Sequence, residues 1–185
     1  EDERREGIRF RMVVMHDAED MVDPAALPLF DAWLARADLI QIPVLPAPQR
    51  QSRWVAGHYM DEFAEAHAKA MVVRNWLGAG VPSAGVGCAI ARERLALLHT
   101  QMAGDGPFDA ESLTEDYELG LKIAEAGGRA TFLRARGEDG RLVATRAFFP
   151  ARLETAVRQK SRWVCGIALQ GWDRMGWTGG LVDGW

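Results

Sequence analysis

The chain has 185 residues, 48% apolar and 26% charged, which is the composition of one ordinary globular domain with its own core. A net charge of −4 and scattered basic residues remove nucleic-acid binding from the candidate roles. Two distant cysteines without a CxxC pair exclude a zinc site or a disulfide framework, and no apolar run reaches the roughly 18–20 residues that span a bilayer.

In chain order, residues 8–15 alternate and then become continuously apolar, which predicts a strand entering a buried sheet. The acidic run His16-Asp17-Ala18-Glu19-Asp20 closes it. Asp23-Pro24 reads as the N-cap and first position of a helix through Ala37. Residues 38–45 read as the next strand, with Pro43 marking an edge or a bulge. Phe63, Ala66, Ala70, Val73 and Leu77 share one face of a helix over 59–77, which Gly78 stops. Residues 78–87 form a Gly/Pro/Ser-rich loop, 86–91 a short strand, 92–100 a helix, and 104–112 a second loop. Thr114 caps a helix ending near Gly127-Gly128. Strands over 129–135 and 141–149 are joined by the turn Gly137-Glu138-Asp139-Gly140, and a last helix runs from about Ala151 to Gln170. Strand and helix alternate, with one late hairpin, which predicts an α/β fold with a mostly parallel sheet and an antiparallel addition. Both ends read as cut, so residues 1–185 are expected to be one domain fragment of a longer protein.

Three groups of residues can carry chemistry. Asp17 and Glu19 are two apart, with Asp20 adjacent, at a strand's carboxyl end, where open α/β sheets bind ligands. Crowded carboxylates repel one another unless a cation separates them, and a hard divalent ion both does this and holds a diphosphate. An acidic turn ahead of a helix, favoured by the helix dipole, explains the same residues. Thr114-Glu115-Asp116 opens a helix; helix capping accounts for it, and so does Asp116 as a general base toward an acceptor hydroxyl. The 104–112 loop before it would let such a site open and close. Gln159, Arg162 and Trp163 lie at i, i+3 and i+4 on one helix face. Arginine suits a departing diphosphate and an indole suits a sugar ring. A surface helix with Trp163 in the core explains that spacing equally well.

Taken in this order, an Asp-x-Glu strand end, Thr-Glu-Asp and Gln-x-x-Arg-Trp, the chain resembles the processive branch of family 2 glycosyltransferases, the group of cellulose, chitin and hyaluronan synthases. The resemblance runs from Asp17 to Trp163, and the segment Gly85–Arg92 resembles that family's Gly-rich acceptor-side strand. The wording of His16–Asp20, Ser83–Cys88 and Ile167–Trp172 is similar to an inner-membrane subgroup connected with bacteriophage adsorption.

The resemblance implies a GT-A-type domain whose N-terminal nucleotide-binding strands precede residue 1. It implies Mg²⁺ or Mn²⁺ held by Asp17 and Glu19 on the diphosphate of a UDP-sugar. Asp116, beside Glu115, would deprotonate a polysaccharide acceptor for in-line, inverting attack. Gln159 and Arg162 would steady the donor or leaving group, Trp163 would stack on the acceptor, and Gly87 and Cys88 would line its path. Glu19 stands where the family carries aspartate, and Asp20 offers a further ligand. The parent protein is expected at the cytoplasmic face of a bacterial inner membrane, anchored by segments outside this chain, with residues 164–185 nearest the bilayer. Trp163, Trp172, Trp177 and Trp185 suit headgroup depth, and ordinary packing explains them as well.

Two other classes stand beside this reading. One is a non-catalytic scaffold or phage-receptor-associated binding module on the same fold. The other is a metal phosphohydrolase built on His16-Asp17, with His58, His67 and His99 available; that chemistry needs more His and Asp ligands than the sequence groups together.

Overall fold

The computed structural model describes residues 2–101 and 112–176. The expected 104–112 loop falls almost wholly outside them, as do Trp177 and Trp185. A four-stranded sheet is ordered β1 (Met12–Met15), β4 (Cys88–Ala91), β2 (Leu39–Gln41), β5 (Ala130–Phe132). β4 runs antiparallel to β1 and β2, and β2 runs parallel to β5. β1, β2 and β5 therefore point the same way and β4 alone is reversed, the mostly parallel α/β arrangement expected of a GT-A-like domain.

The expected strand over 38–45 is two strands, β2 and β3 (Val44–Pro46), broken at Ile42-Pro43. Proline has no N–H to give a ladder, but its carbonyl accepts the Thr145 N–H at 3.0 Å. The break lets one extended segment serve two sheets. β5 pairs with β2 at Leu39↔Ala130, and β6 (Thr145–Ala147) pairs in parallel with β3 at Val44↔Thr145. Between β5 and β6 lies the expected hairpin, a short arm closed by Val143 N–H on Ala135 O and Gly137 N–H on Arg141 O, both 2.9 Å. Its two ends feed different sheets, so the strands expected over 129–135 and 141–149 shrink to three residues each.

Alternation along β2 and β4 sends Ile40 and Ala89 to one face and Leu39 and Ile90 to the other. The first face packs with Ile42, Leu133, Val143 and Phe30 of α2 (Ala26–Trp33). The second packs with Leu98 of α5 (Arg92–Gln101) and with Leu119 and Ile123 of α6 (Glu115–Glu125). Each such side chain contributes about 1.5–3 kcal/mol on leaving water. The helix expected from Asp23 to Ala37 is shorter at both ends. Asp23 holds a preceding turn, its Oδ1 accepting the Ala25 N–H at 3.0 Å.

The amphipathic segment is longer than its periodicity suggested. It comprises α3 (Val55–Glu65), a π-helical stretch (Ala66–Ala70) and α4 (Met71–Leu77), and it stops at Gly78 with φ 71°. The wide π turn seats His67, buried, where Nδ1 accepts the Val44 N–H at 2.9 Å. Burial, helped by Arg134, lowers its pKa to about 4, so at neutral pH the ring is uncharged and its Nδ1 serves as an acceptor. The final helix is α7 (Leu153–Trp163), a second π-helical stretch (Val164–Gln170) and α8 (Gly171–Met175). One element was not expected: α1 (Asp2–Glu6), tied down by Arg92, which donates to both Glu3 carboxylate oxygens at 2.6–3.0 Å. Consequently β1 begins at Met12, four residues after the alternation starts. No described helix is long and apolar enough to cross a membrane.

Candidate active site

β1 delivers its chain into an acidic turn. Asp20 N–H donates to Asp17 O at 3.1 Å, and Asp20 Oδ2 accepts the Asp17 N–H at 3.0 Å. The same oxygen faces His16 Nδ1 at 3.2 Å, and the Asp20 side chain is 1% exposed. Asp20 is thus consumed in closing the turn rather than offered as a ligand. The turn is anchored beyond by Met21, which exchanges backbone hydrogen bonds with Arg146 at 2.7 and 3.1 Å. Asp17 and Glu19 stay exposed. Partial burial of its carboxyl raises the Asp17 pKa, Asp20 and Glu19 raise it further, and Arg162 opposes them.

The second acid sits across a glycine loop. Gly87 N–H donates to Met15 O at 3.0 Å, and Met15 pairs with Cys88, so the 84–87 loop adjoins the end of β1. Gly85, at φ 75°, lies directly under Asp116: a methyl built on it would run into the carboxylate. Asp116 is in the first turn of α6, where its Oδ1 accepts the Tyr117 N–H at 2.8 Å. Burial raises its pKa, Glu115 adds to this, and the Tyr117 bond and Arg162 lower it. The expected hydroxyl cap by Thr114 does not form. Its Oγ1 is buried without a partner and packs on Gly166, where an added Cβ would come within 2.6 Å. The 164–170 stretch packs against the Thr114 side chain, and Gln170 Oε1 accepts the Leu113 N–H at 3.1 Å.

Arg162 is the link between the two acids. It is exposed, and its positive charge opposes the raised pKa of both Asp17 and Asp116. Its neighbours on α7 face elsewhere in part. Gln159 Oε1 accepts a hydrogen bond from the hydroxyl of the buried Tyr59 at 2.8 Å. Trp163 is half-buried in an aromatic cluster, edge-on to Tyr59 at 6.2 Å and close to Phe63 and Phe149 at 6.3 and 6.5 Å. Lys160, paired with Glu62, stands over the Tyr59 ring at 4.5 Å.

Gly87 and Cys88 are buried beneath the loop, so they form its floor. Burial pushes the Cys88 thiol up to about 11, and its Sγ lies 3.4 Å from Ser83 Oγ; it is a packed thiol and not a nucleophile. Sequence reasoning passed over three residues: Ser83, whose Oγ accepts the Gly85 N–H at 3.1 Å, Tyr59, and Gln41, a buried amide within the apolar run of β2. That lone polar residue between Ile40 and Ile42 was the signal for it.

Among the described residues, no group of three or more His, Cys, Asp or Glu side chains is arranged to hold a metal. Two exposed carboxylates, Asp17 and Glu19, nonetheless fit Mg²⁺, which takes one or two carboxylates and completes its shell with water and phosphate oxygens. Two openings among the described residues lie away from Asp17 and Glu19. One, of about 1000 Å³, is lined by Arg74, Tyr117, Glu118 and Trp172 among others. The other is an apolar groove of about 610 Å³ between Trp54 and the Leu153, Val157 and Val164 side of the last helix.

Residues 12–185 match the family model described as glycosyl transferase family group 2. The chain is 39% identical over 197 aligned residues to the bacteriophage adsorption protein B of Escherichia coli K12, and equally to the bacteriophage N4 adsorption protein B of Escherichia coli O157:H7. Each alignment covers 97% of this chain and 26% of the relative, so the chain spans about a quarter of the length of these curated relatives.

Proposed function

Because the chain belongs to glycosyl transferase family group 2, we propose that in its parent protein this site moves a sugar from a UDP-sugar to a hydroxyl of a growing polysaccharide, with inversion. What supports it is the glycine loop that adjoins both acids: Gly87 N–H donates to Met15 O at 3.0 Å at the end of the strand leading to Asp17, Gly85 lies under the Asp116 carboxylate, and the Arg162 charge opposes the raised pKa of both acids.

Asp17 and Glu19 would hold Mg²⁺ or Mn²⁺, which when bound neutralises the donor diphosphate. Arg162 and the Gln159 amide would bind the same diphosphate and stabilise it as it leaves. Asp116 accepts the acceptor hydroxyl proton. The acceptor oxygen then bonds to the anomeric carbon as the bond to the diphosphate oxygen breaks, and UDP departs. Burial and Glu115 make Asp116 a stronger base than an ordinary carboxylate, which suits the task. The backbone of Gly85 borders the acceptor side, with Gly87 and Cys88 as its support, and the solvent-facing part of the half-buried Trp163 would pack on the acceptor sugar.

We further propose that the parent protein works at the cytoplasmic face of the inner membrane. The apolar groove beside exposed Trp54, Leu153, Val157 and Val164, with Arg53, Arg152 and Arg158 next to them in sequence, suits an anionic bilayer surface. Fractionation that leaves the full-length protein in the soluble pool sinks that placement.

The test of the reaction is a screen of UDP-sugars with the full-length protein in membranes, wild type beside Asp116→Asn. Labelled sugar should reach polymer only in the wild type. Equal transfer by Asp116→Asn removes the base assignment. The relatives' names describe phage adsorption and not catalysis, which favours a second reading as a partner-binding module. Absence of any metal-dependent UDP binding would select it.

A further inference from the structure

The base proposed above stands on a loop, and the loop is held by a residue that touches neither acid. Gln41 is fully buried. Its Oε1 accepts the Ala84 N–H at 2.9 Å. Its Nε2 donates toward Val86 O at 2.9 Å, Gly87 O at 3.2 Å and its own neighbour Ile42 O at 2.8 Å. One side chain therefore satisfies backbone groups at both ends of the Ala84–Gly87 loop. Two of that loop's glycines are in the left-handed region, φ 75° at Gly85 and 62° at Gly87, a conformation with no regular ladder of its own.

The loop has two consequences for the site. Gly85 is the surface on which the Asp116 carboxylate rests. Gly87 donates to Met15 O at 3.0 Å and so also fixes the end of the strand that leads to Asp17. Remove the Gln41 bonds and Ala84 N–H and Val86 O lose these partners together, in a half-buried loop.

We infer that Gln41 is a positioning residue for sugar transfer: it sets the Ala84–Gly87 loop and through it the place of Asp116 relative to the Asp17 turn. This rests on Asp116 being the base. Displacing a reacting group by about 1 Å costs on the order of 10²-fold in rate without demanding weaker donor binding. The signature is thus a fall in kcat with little change in donor KM.

The experiment uses the full-length protein in membranes, with activity normalised to UDP-binding sites so that loss of folded protein does not count. Gln41→Met keeps the volume and removes every bond; Gln41→Glu keeps the volume and the acceptor for Ala84 N–H but, when ionised, cannot donate to Val86 and Gly87. Turnover per site should fall by about 10-fold or more in both, with donor KM within about twofold. Unchanged turnover per site overturns the inference, and so does loss of UDP binding in both variants, because Gln41 then holds the fold and not the base. Asp116→Asn in the same preparation separates the two claims. If it is inactive while Gln41→Met turns over normally, only the role of Gln41 fails. If Asp116→Asn is active, the base assignment fails and this inference with it.

Discussion

The carboxylate of Asp116 lies against the bare Cα of Gly85, in the space a side chain would fill. Two demands meet at that glycine: no side chain beneath the acid, and φ 75° in the backbone. Gly85→Ala should therefore do two things at once. The left-handed conformation costs an alanine about 1–2 kcal/mol, seen as a lower unfolding temperature. The added methyl pushes Asp116 aside, and sugar transfer should fall by about 10²-fold. Transfer at the wild-type rate in a folded Gly85→Ala protein would mean that Asp116 need not sit where it does.

Asp116 also makes a statement about pH. Its folded pKa is raised, chiefly by burial, so the folded state holds the proton more tightly than the unfolded chain does. The ionised acid therefore destabilises the fold at neutral pH, and this penalty disappears as pH falls below the raised pKa. Asp116→Asn should unfold at a higher temperature than wild type at pH 7, with the gap closing in acid. The same shift places the acid limb of the transfer rate above the range of an ordinary carboxylate. Melting curves across pH check the first point, and kcat/KM against pH checks the second.

His67 gives the opposite case. Burial lowers its pKa from 6.5 to about 4, so the folded state favours the neutral ring. Its contribution is complete above 6.5 and is lost as pH falls toward 4, on the order of 3 kcal/mol in all. In His67→Leu that part of the acid sensitivity should vanish. At pH 7 the same variant leaves the Val44 N–H without its acceptor, at a cost of about 1–3 kcal/mol. An acid melting profile with unaltered slope between pH 6.5 and 4 would count against the neutral, accepting ring.

Asp17 and Arg162 separate by what they bind. Asp17→Ala should weaken UDP binding in the presence of Mn²⁺ and leave metal-free binding nearly unaltered. Arg162→Ala should weaken both, because its guanidinium meets phosphate directly. Isothermal calorimetry with and without Mn²⁺ on the full-length protein decides; equal losses in both conditions for Asp17→Ala would remove the metal assignment.

Much of this was legible in the sequence because apolar periodicity reports packing. The stop at Gly78 is where the spacing puts it, and Pro43 breaks its strand as a residue without an N–H must. The face expected through Phe63, Ala66, Ala70, Val73 and Leu77 is not the buried one: Ala70, Val73 and Leu77 are exposed, and with the π-helical stretch Tyr59, His67 and Met71 turn inward instead. What escaped was what depends on partners distant along the chain. α1 exists because Arg92 grips Glu3, 89 residues away. Thr114 reads as a cap until Gly166 arrives beside its hydroxyl. Asp20 reads as a third metal-facing acid until its own turn folds it inward. Gln41 announced itself as an amide in an apolar run, but only the glycine loop explains why it is there.

The hairpin arm between β5 and β6 has a further consequence. Its tip at Glu138, Asp139 and Gly140 is exposed, and each strand it joins is registered by a different parallel neighbour. Residues added at the tip lengthen the arm without sliding either pairing, and closing a longer loop costs little, about 0.6 kcal/mol per doubling. The tip is thus the natural place for a tag, a reporter or a natural insertion, remote in register from the chemistry that the two sheets hold in place.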